Sequence, residues 1–142
     1  MGLHLEFVVA GPPISNQQNR PAGRANLTAW RSTTATEAAT WWPGPALSGP
    51  LKAVIINFHD GDKPSVDVDN MSKPILDEMN SLVYADDRQI RQAEFAHVRI
   101  DAAFSIVGVS KIIVEALRTG DQFVYVRIEE PVDPYPLPRS AP

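Results

Sequence analysis

The sequence predicts a single α/β (α+β) domain, with a mixed sheet of about four strands and helices packed on it. Its 142 residues are the length of one ordinary domain. Hydrophobic residues make up 44% of the chain and charged residues 21%, proportions typical of a globular protein with a core. Apolar patterns of strand and helix period alternate along the chain in the order β, α, β, α, β, α, β.

Four alternating or continuous apolar runs predict the strands of the sheet. They cover residues 3–9, 51–58, 90–100 and 122–129. The second run, LKAVIINF, is apolar enough to lie inside the sheet. After the first strand, the polar stretch 14–25 predicts a loop.

Helical spacing of apolar residues predicts three helices. In the first, Leu27, Trp30, Ala38 and Trp41 share one face, and a Pro-Gly-Pro sequence at 43–45 ends the helix. A proline interrupts the second helix, and a glycine closes the third.

The second helix is expected over about residues 70–82, with Asp69 as its N-cap. Pro74, near the end of the first turn, removes a backbone hydrogen bond, which favours a later start. The third helix is expected over residues 110–118, closed by Gly120.

The last twelve residues include five prolines and cannot continue a sheet. The chain is therefore expected to divide into a domain at 1–130 and a flexible, extended tail at 131–142.

Composition excludes several classes of protein. Cysteine is absent, which excludes a disulfide framework, a thiolate zinc site and cysteine nucleophile chemistry. No apolar run approaches the ~18–20 residues that cross a bilayer, and no basic leader precedes an apolar stretch at the N-terminus. A cytoplasmic protein without a membrane partner is expected.

Negative charge is concentrated in one fifth of the chain. Residues 60–87 hold eight acidic residues against Lys63 and Lys73, a balance of −6, whereas the rest of the chain sums to +2. Such a segment is either a solvated acidic face, the commoner case, or a place where something positive binds.

Two acidic pairs flank the second helix. In an extended segment Asp67 and Asp69 would point to the same side, and Asp86-Asp87 follow the helix. Eleven helical residues rise about 17 Å, a distance that the chain from residue 81 to 87 covers when extended, at about 17–20 Å. A chain folding straight back could therefore bring Asp87 beside the first pair. Such oxygen-only ligands would favour Mg²⁺ or Mn²⁺ over zinc, a site that the spacing permits without proving.

Two other interpretations of the acidic segment remain open. An EF-hand fits poorly, because Met71 and Ser72 occupy positions that need an acid and a glycine. A solvated face on which Lys73 pairs with Asp69 or Asp77 explains the helix but not the second acidic pair.

Taken together, these residues resemble the RusA family of Holliday junction resolvases. The resemblance rests on Asp67-Val68-Asp69-Asn70, followed by Lys73, Asp77 and Asp86-Asp87. The opening strand, which ends in Gly-Pro-Pro-Ile-Ser-Asn at residues 11–16, is also similar to that family's opening. The resemblance covers most of residues 3–100. It implies a compact, homodimeric, Mg²⁺-dependent endonuclease, often encoded by a prophage, with no small-molecule cofactor.

The resemblance also implies roles for the motif residues. Asp67, Asp69 and Asp87 would bind the metal, with Asp86 as a candidate helper and Mn²⁺ as a candidate substitute for Mg²⁺. Lys73 would be the essential basic residue near the scissile phosphate. Asn70 and Asp77 match motif positions, but a helix start and a salt-bridge partner explain them equally well.

The chain departs from the family where DNA would bind. Family members carry a run of arginines before the first aspartate, where this chain has Asp62-Lys63-Pro64-Ser65-Val66. Residues 101–120 are also longer than the family's closing hairpin, which suggests an inserted helix. The candidate phosphate contacts are Lys63, Arg20, Arg24, Arg88, Arg91 and Arg99, although ordinary solvated side chains are commoner.

The sequence therefore predicts a structure-selective DNA endonuclease that resolves four-way junctions by paired symmetric nicks, in recombination and repair. One alternative is a metal-dependent nuclease acting on other branched DNA, which the thinned basic residues favour. The other is a catalytically inactive DNA-binding or assembly protein on the same fold.

Overall fold

The computed structural model describes residues 2–101 and 105–141. The elements run in the predicted order, with one short 3₁₀ turn added at Asp87–Gln89. They are β1 (Leu3–Ala10), α1 (Pro21–Trp41), β2 (Leu51–His59), α2 (Val68–Met79), β3 (Ile90–Arg99), α3 (Lys111–Leu117) and β4 (Phe123–Glu129).

The four strands form one mixed sheet in the order β1-β4-β2-β3. β4 lies between β1 and β2 and is antiparallel to both, whereas β2 and β3 are parallel. A parallel pair needs a crossover, and α2 provides it. The predicted mixed sheet with packed helices is confirmed, and the fold is α+β.

Each face of the sheet carries its own apolar cluster. The larger cluster joins α1 and α2 to the sheet and includes Phe7, Ile55, Met71 and Ile75. The smaller cluster packs α3 on the opposite face, around Phe58. Side chains of β2 are buried on both faces, which confirms the prediction that this strand lies inside the sheet.

The loop predicted for residues 14–25 is wrong beyond residue 20, because α1 begins at Pro21. Proline suits the first turn of a helix, where its missing N–H costs nothing. Most side chains of the first two turns of α1 are exposed, so this part of the helix has no apolar periodicity to reveal it.

The predicted bounds of α2 are also wrong. The helix begins at Val68, not at or after residue 70, and ends at Met79. Its N-cap is Asp67 rather than Asp69, and Asp69 is already helical. Asp67 and Asp69 therefore do not share one extended segment, and their side chains need not point the same way. Pro74 lies inside the helix and is buried against the core.

The C-terminal third agrees with the prediction where the structure describes it. α3 and β4 lie within one residue of their expected bounds, and Gly120 adopts a φ of 75° just beyond α3. Residues 102–104 of the 101–120 segment lie outside the described residues, as do Met1 and Pro142.

The expected tail forms neither helix nor strand over residues 131–141. Its start is held to β3, because Val132 and Gln92 exchange two hydrogen bonds of 3.0 and 2.8 Å. Flexibility of the tail stays a prediction. Across residues 2–101 and 105–141, no helix is both long enough and apolar enough to cross a membrane.

Candidate active site

An open pocket of about 400 Å³ lies between α2 and β3. It combines an apolar wall with three carboxylates and one ammonium group. Its lining residues are Asp69, Ser72, Lys73, Leu76 and Asp77 from α2, and Asp87, Ile90 and Phe95 from the 3₁₀ turn and β3.

The charged side of the pocket follows from helical spacing. Asp69, Lys73 and Asp77 are four residues apart, so they form one stripe on α2. The Lys73 ammonium lies 3.3 Å from both carboxylate oxygens of Asp77. Lys73 is 61% exposed, so its ammonium can leave this partner for another anion.

Asp87 reaches the pocket because the chain turns back sharply after α2. Buried Tyr84 fixes this turn, since its hydroxyl donates a 2.6 Å hydrogen bond to the Leu76 carbonyl. Burial raises the pKa of Tyr84 well above its usual range, and the carboxylates of Asp87 and Asp77 raise it further. Asp77 and Asp87 both line the pocket beside this part of α2.

Asp86 turns away from this pocket, although it is the neighbour of Asp87. It caps the 3₁₀ turn by accepting a 2.9 Å hydrogen bond from the Arg88 backbone N–H, and it forms a 2.8 Å salt bridge with the Arg88 guanidinium. The hydrogen bonds from Arg88 lower the pKa of Asp86 to about 2. Asp86 lines a separate depression beside Arg91.

Asp67 is exposed at the start of α2 and is not part of the pocket lining. Its charge acts to raise the pKa of His97 on β3. The structure thus brings three of the predicted site residues into one pocket, namely Asp69, Lys73 and Asp87, and leaves Asp67 outside its lining.

The metal-binding capacity of the pocket depends on its oxygen donors. Among residues 2–101 and 105–141, no three His, Asp or Glu side chains form a group that could hold a metal ion. Mg²⁺ seldom needs three protein ligands. It commonly binds one or two protein carboxylates, and water and substrate phosphate fill its other coordination positions. The carboxylates of Asp69 and Asp87 fit that requirement.

The predicted phosphate contacts fall into two groups. Arg88 is paired with Asp86, and Arg99 forms 3.0 Å salt bridges with both Asp62 and Asp101. The others are exposed and form no ion pair within the described part of the chain; they are Arg20, Arg24, Lys63 and Arg91.

Sequence reasoning missed Arg31, which bridges α1 and α2. Its guanidinium lies 3.2 Å from Glu78 and 3.5 Å from Asp77, and it donates a 3.1 Å hydrogen bond to the Asn16 side chain. No spacing rule links residues so far apart in the chain. The nearest sequence signal was the acidic pair Asp77-Glu78, in which Glu78 had no predicted partner.

These features define a small α+β domain whose pocket presents carboxylates and a lysine, a combination suited to phosphate ester chemistry. A model of the family described as Endodeoxyribonuclease RusA matches residues 11–107. The chain belongs to this family, and membership supports nuclease activity on DNA. The match includes all the pocket residues and ends before α3. A search of curated proteins found no match.

Proposed function

We propose that the protein is a Mg²⁺-dependent endonuclease that resolves four-way DNA junctions by paired symmetric nicks, in recombination and repair. The observation that carries this proposal is the pocket in which Asp69, Lys73 and Asp87 meet. All three lie within the segment that matches the RusA family.

Each pocket residue has a distinct task in this proposal. Asp69 and Asp87 would hold the metal, and Asp67, the N-cap of α2, is a further candidate ligand. When bound, Mg²⁺ supplies Lewis-acid polarisation of the scissile phosphate. Lys73 would exchange its contact with Asp77 for a phosphate oxygen and stabilise the negative charge that develops there.

A homodimer would match the symmetry of the substrate. A four-way junction has approximate two-fold symmetry, and a two-fold dimer presents two identical sites to it. Arg20, Arg24, Lys63 and Arg91 are the better candidates for phosphate contacts, because they form no ion pair with another described residue. Arg88 and Arg99 already have carboxylate partners and would contribute less.

A second candidate function is metal-dependent cleavage of other branched DNA. The segment before Asp67 favours it, because it contains one lysine where an arginine run would be expected. Asp62 within this segment also pairs with Arg99, which removes a cation from DNA contact. Fewer phosphate contacts would weaken the preference for a highly charged junction.

Cleavage of a labelled mobile four-way junction, beside matched duplex, flap and single-stranded DNA, tests the proposal. We expect paired symmetric nicks on the junction alone, in Mg²⁺ but not in EDTA. Asp69→Asn and Asp87→Asn should each lower the rate at least a hundredfold, as expected for loss of a metal ligand. Asp86→Asn is the matched control and should cut within about threefold of the wild type, since Asp86 faces Arg88.

The other outcomes separate the alternatives. Equal cutting of flaps or duplex would replace junction resolution by the second candidate function. Absence of cutting by folded protein in Mg²⁺ and Mn²⁺ would leave a DNA-binding or assembly protein. Loss of activity in Asp86→Asn, with Asp87→Asn active, would contradict the assignment of the second metal ligand.

A further inference from the structure

Arg31 connects three parts of the molecule at one guanidinium group. One of its terminal nitrogens lies 3.2 Å from Glu78, while the other lies 3.5 Å from Asp77 and donates a 3.1 Å hydrogen bond to Asn16. The side chain is 30% exposed, and it is not part of the pocket lining. Arg31 therefore contacts the lining residue Asp77 without lining the pocket itself.

Asp77 is shared between two cations. Its Oδ2 atom lies 3.5 Å from the Arg31 guanidinium and 3.3 Å from the Lys73 ammonium. A carboxylate that is already partly neutralised by one cation attracts a second cation less strongly. Arg31 is fixed by its two other partners, whereas Lys73 is 61% exposed and free to move toward an anion.

We infer that Arg31 is a positioning residue that acts through Asp77 on Lys73. By neutralising Asp77, it leaves the Lys73 ammonium available to the substrate phosphate. Without Arg31, the full charge of Asp77 would hold Lys73 back from the phosphate. This inference rests on the proposed function, because it needs a phosphate in the pocket.

The test compares Arg31→Gln in three backgrounds: wild type, Asp77→Asn and Glu78→Gln. Single-turnover cleavage at saturating Mg²⁺ and junction should fall about tenfold in Arg31→Gln, as expected for a displaced catalytic group. In the Asp77→Asn background the same change should have less than a twofold effect, because the carboxylate through which Arg31 acts on Lys73 is gone. Glu78→Gln is the matched control: it removes the other carboxylate of the same guanidinium and should not rescue the rate.

A second readout does not depend on cleavage. Junction binding in Ca²⁺ should lose about one phosphate contact in Arg31→Gln, seen as a shallower dependence of log Kd on log salt concentration. Lys73→Met should show the same loss. In the Asp77→Asn background, Arg31→Gln should leave the salt dependence of binding unchanged. If the wild type binds the junction but never cuts it, the nuclease proposal fails while this comparison still decides the role of Arg31.

Four results would overturn the inference. An equal effect of Arg31→Gln with and without Asp77 would mean that Arg31 touches DNA itself or acts on the fold. Rescue by Glu78→Gln would make Arg31 a general clamp between the helices. Should Arg31→Gln fail to fold, Arg31→Lys preserves the charge beside Asp77, and a tenfold lower rate in that variant would also overturn the inference. A wild type that binds no DNA would overturn both proposals.

Discussion

At the scale of single residues, the imidazole of His97 on β3 contacts residues of the neighbouring strand β2. Buried Asn57 donates a 3.1 Å hydrogen bond from its Nδ2 to Nδ1 of His97, and the ring of His59 packs edge-on at 5.9 Å. Burial lowers the pKa of His97, and the neighbouring His59 lowers it further. A backbone hydrogen bond to Val66 and the charge of Asp67 oppose this shift only in part.

This environment makes stability depend on pH. Because the pKa of His97 in the folded protein lies below its ordinary 6.5, the unfolded chain takes up the proton first as the pH falls. The contribution of His97 to the free energy of unfolding is complete above pH 6.5 and falls as the pH drops toward the folded-state pKa. Replacing His97 by Gln should therefore reduce the loss of Tm between pH 7.5 and 5.5, measured by thermal unfolding. His4→Gln, on edge strand β1, is the control and should keep the wild-type loss; an equal loss in all three proteins would refute the prediction.

Only some residues of the candidate site could be predicted from the sequence. Asp69, Lys73 and Asp77 were predictable as a group, because one helix fixes their spacing. The sequence could not show which of Asp86 and Asp87 lines the pocket, because only the backbone conformation decides where two adjacent identical side chains point. Arg31 was beyond reach, since its partners depend on how α1 packs against α2.

At the scale of elements, Pro74 explains how the loop after β1 is attached to α2. In a regular helix the N–H of residue 74 would donate to the carbonyl of Asn70. Proline has no N–H, and the Asn70 carbonyl instead accepts a 3.0 Å hydrogen bond from the backbone of Asn16. A residue that interrupts the helix thus opens an attachment point beside the first turn of α2, where Asp69 lies.

Pro74→Ala tests this attachment. Alanine restores an N–H that competes for the Asn70 carbonyl, so the Asn16 amide should lose protection. We expect its hydrogen exchange, followed by NMR, to speed up about fivefold, the equivalent of roughly 1 kcal/mol for one hydrogen bond. Pro64→Ala, in the loop before α2, is the matched control and should leave this amide unchanged. Unaltered exchange at Asn16 in Pro74→Ala would show that the carbonyl serves both donors.

The elements that could be predicted share a strong apolar period. The strands and α3 were located to within about one residue, because their apolar residues alternate, run continuously or recur at helical spacing. The first turns of α1 lacked that signal, and the start of α2 was obscured by Pro74. Strand order was not predictable, since β4, last in the chain, inserts between β1 and β2 only through tertiary packing.

At the scale of the whole molecule, charge and symmetry decide how DNA can be engaged. The chain carries a net charge of −4, which residues 60–87 account for in full, since they sum to −6 and the rest of the chain to +2. The pocket lies in this segment, so its carboxylates would repel phosphate unless a cation neutralised them. Over residues 2–101 and 105–141, one chain also presents one pocket that combines Asp69, Lys73 and Asp87, whereas junction resolution needs two cuts. Metal binding and dimer formation are therefore linked parts of the proposed function.

Mixed dimers test whether the proposed function needs dimer formation. A cruciform plasmid cut twice in one binding event becomes linear, whereas a single cut leaves a nicked circle. Wild-type protein should yield linear DNA and elute at twice the mass of the chain. After refolding with a fivefold excess of Asp69→Asn, most active dimers carry one working site, so nicked circles should dominate the product. Excess Asp86→Asn, mixed in the same way, should still give linear DNA, because its pocket is intact. Linear product from a protein that stays monomeric at the assay concentration would contradict the dimer, since one pocket would then have made both cuts.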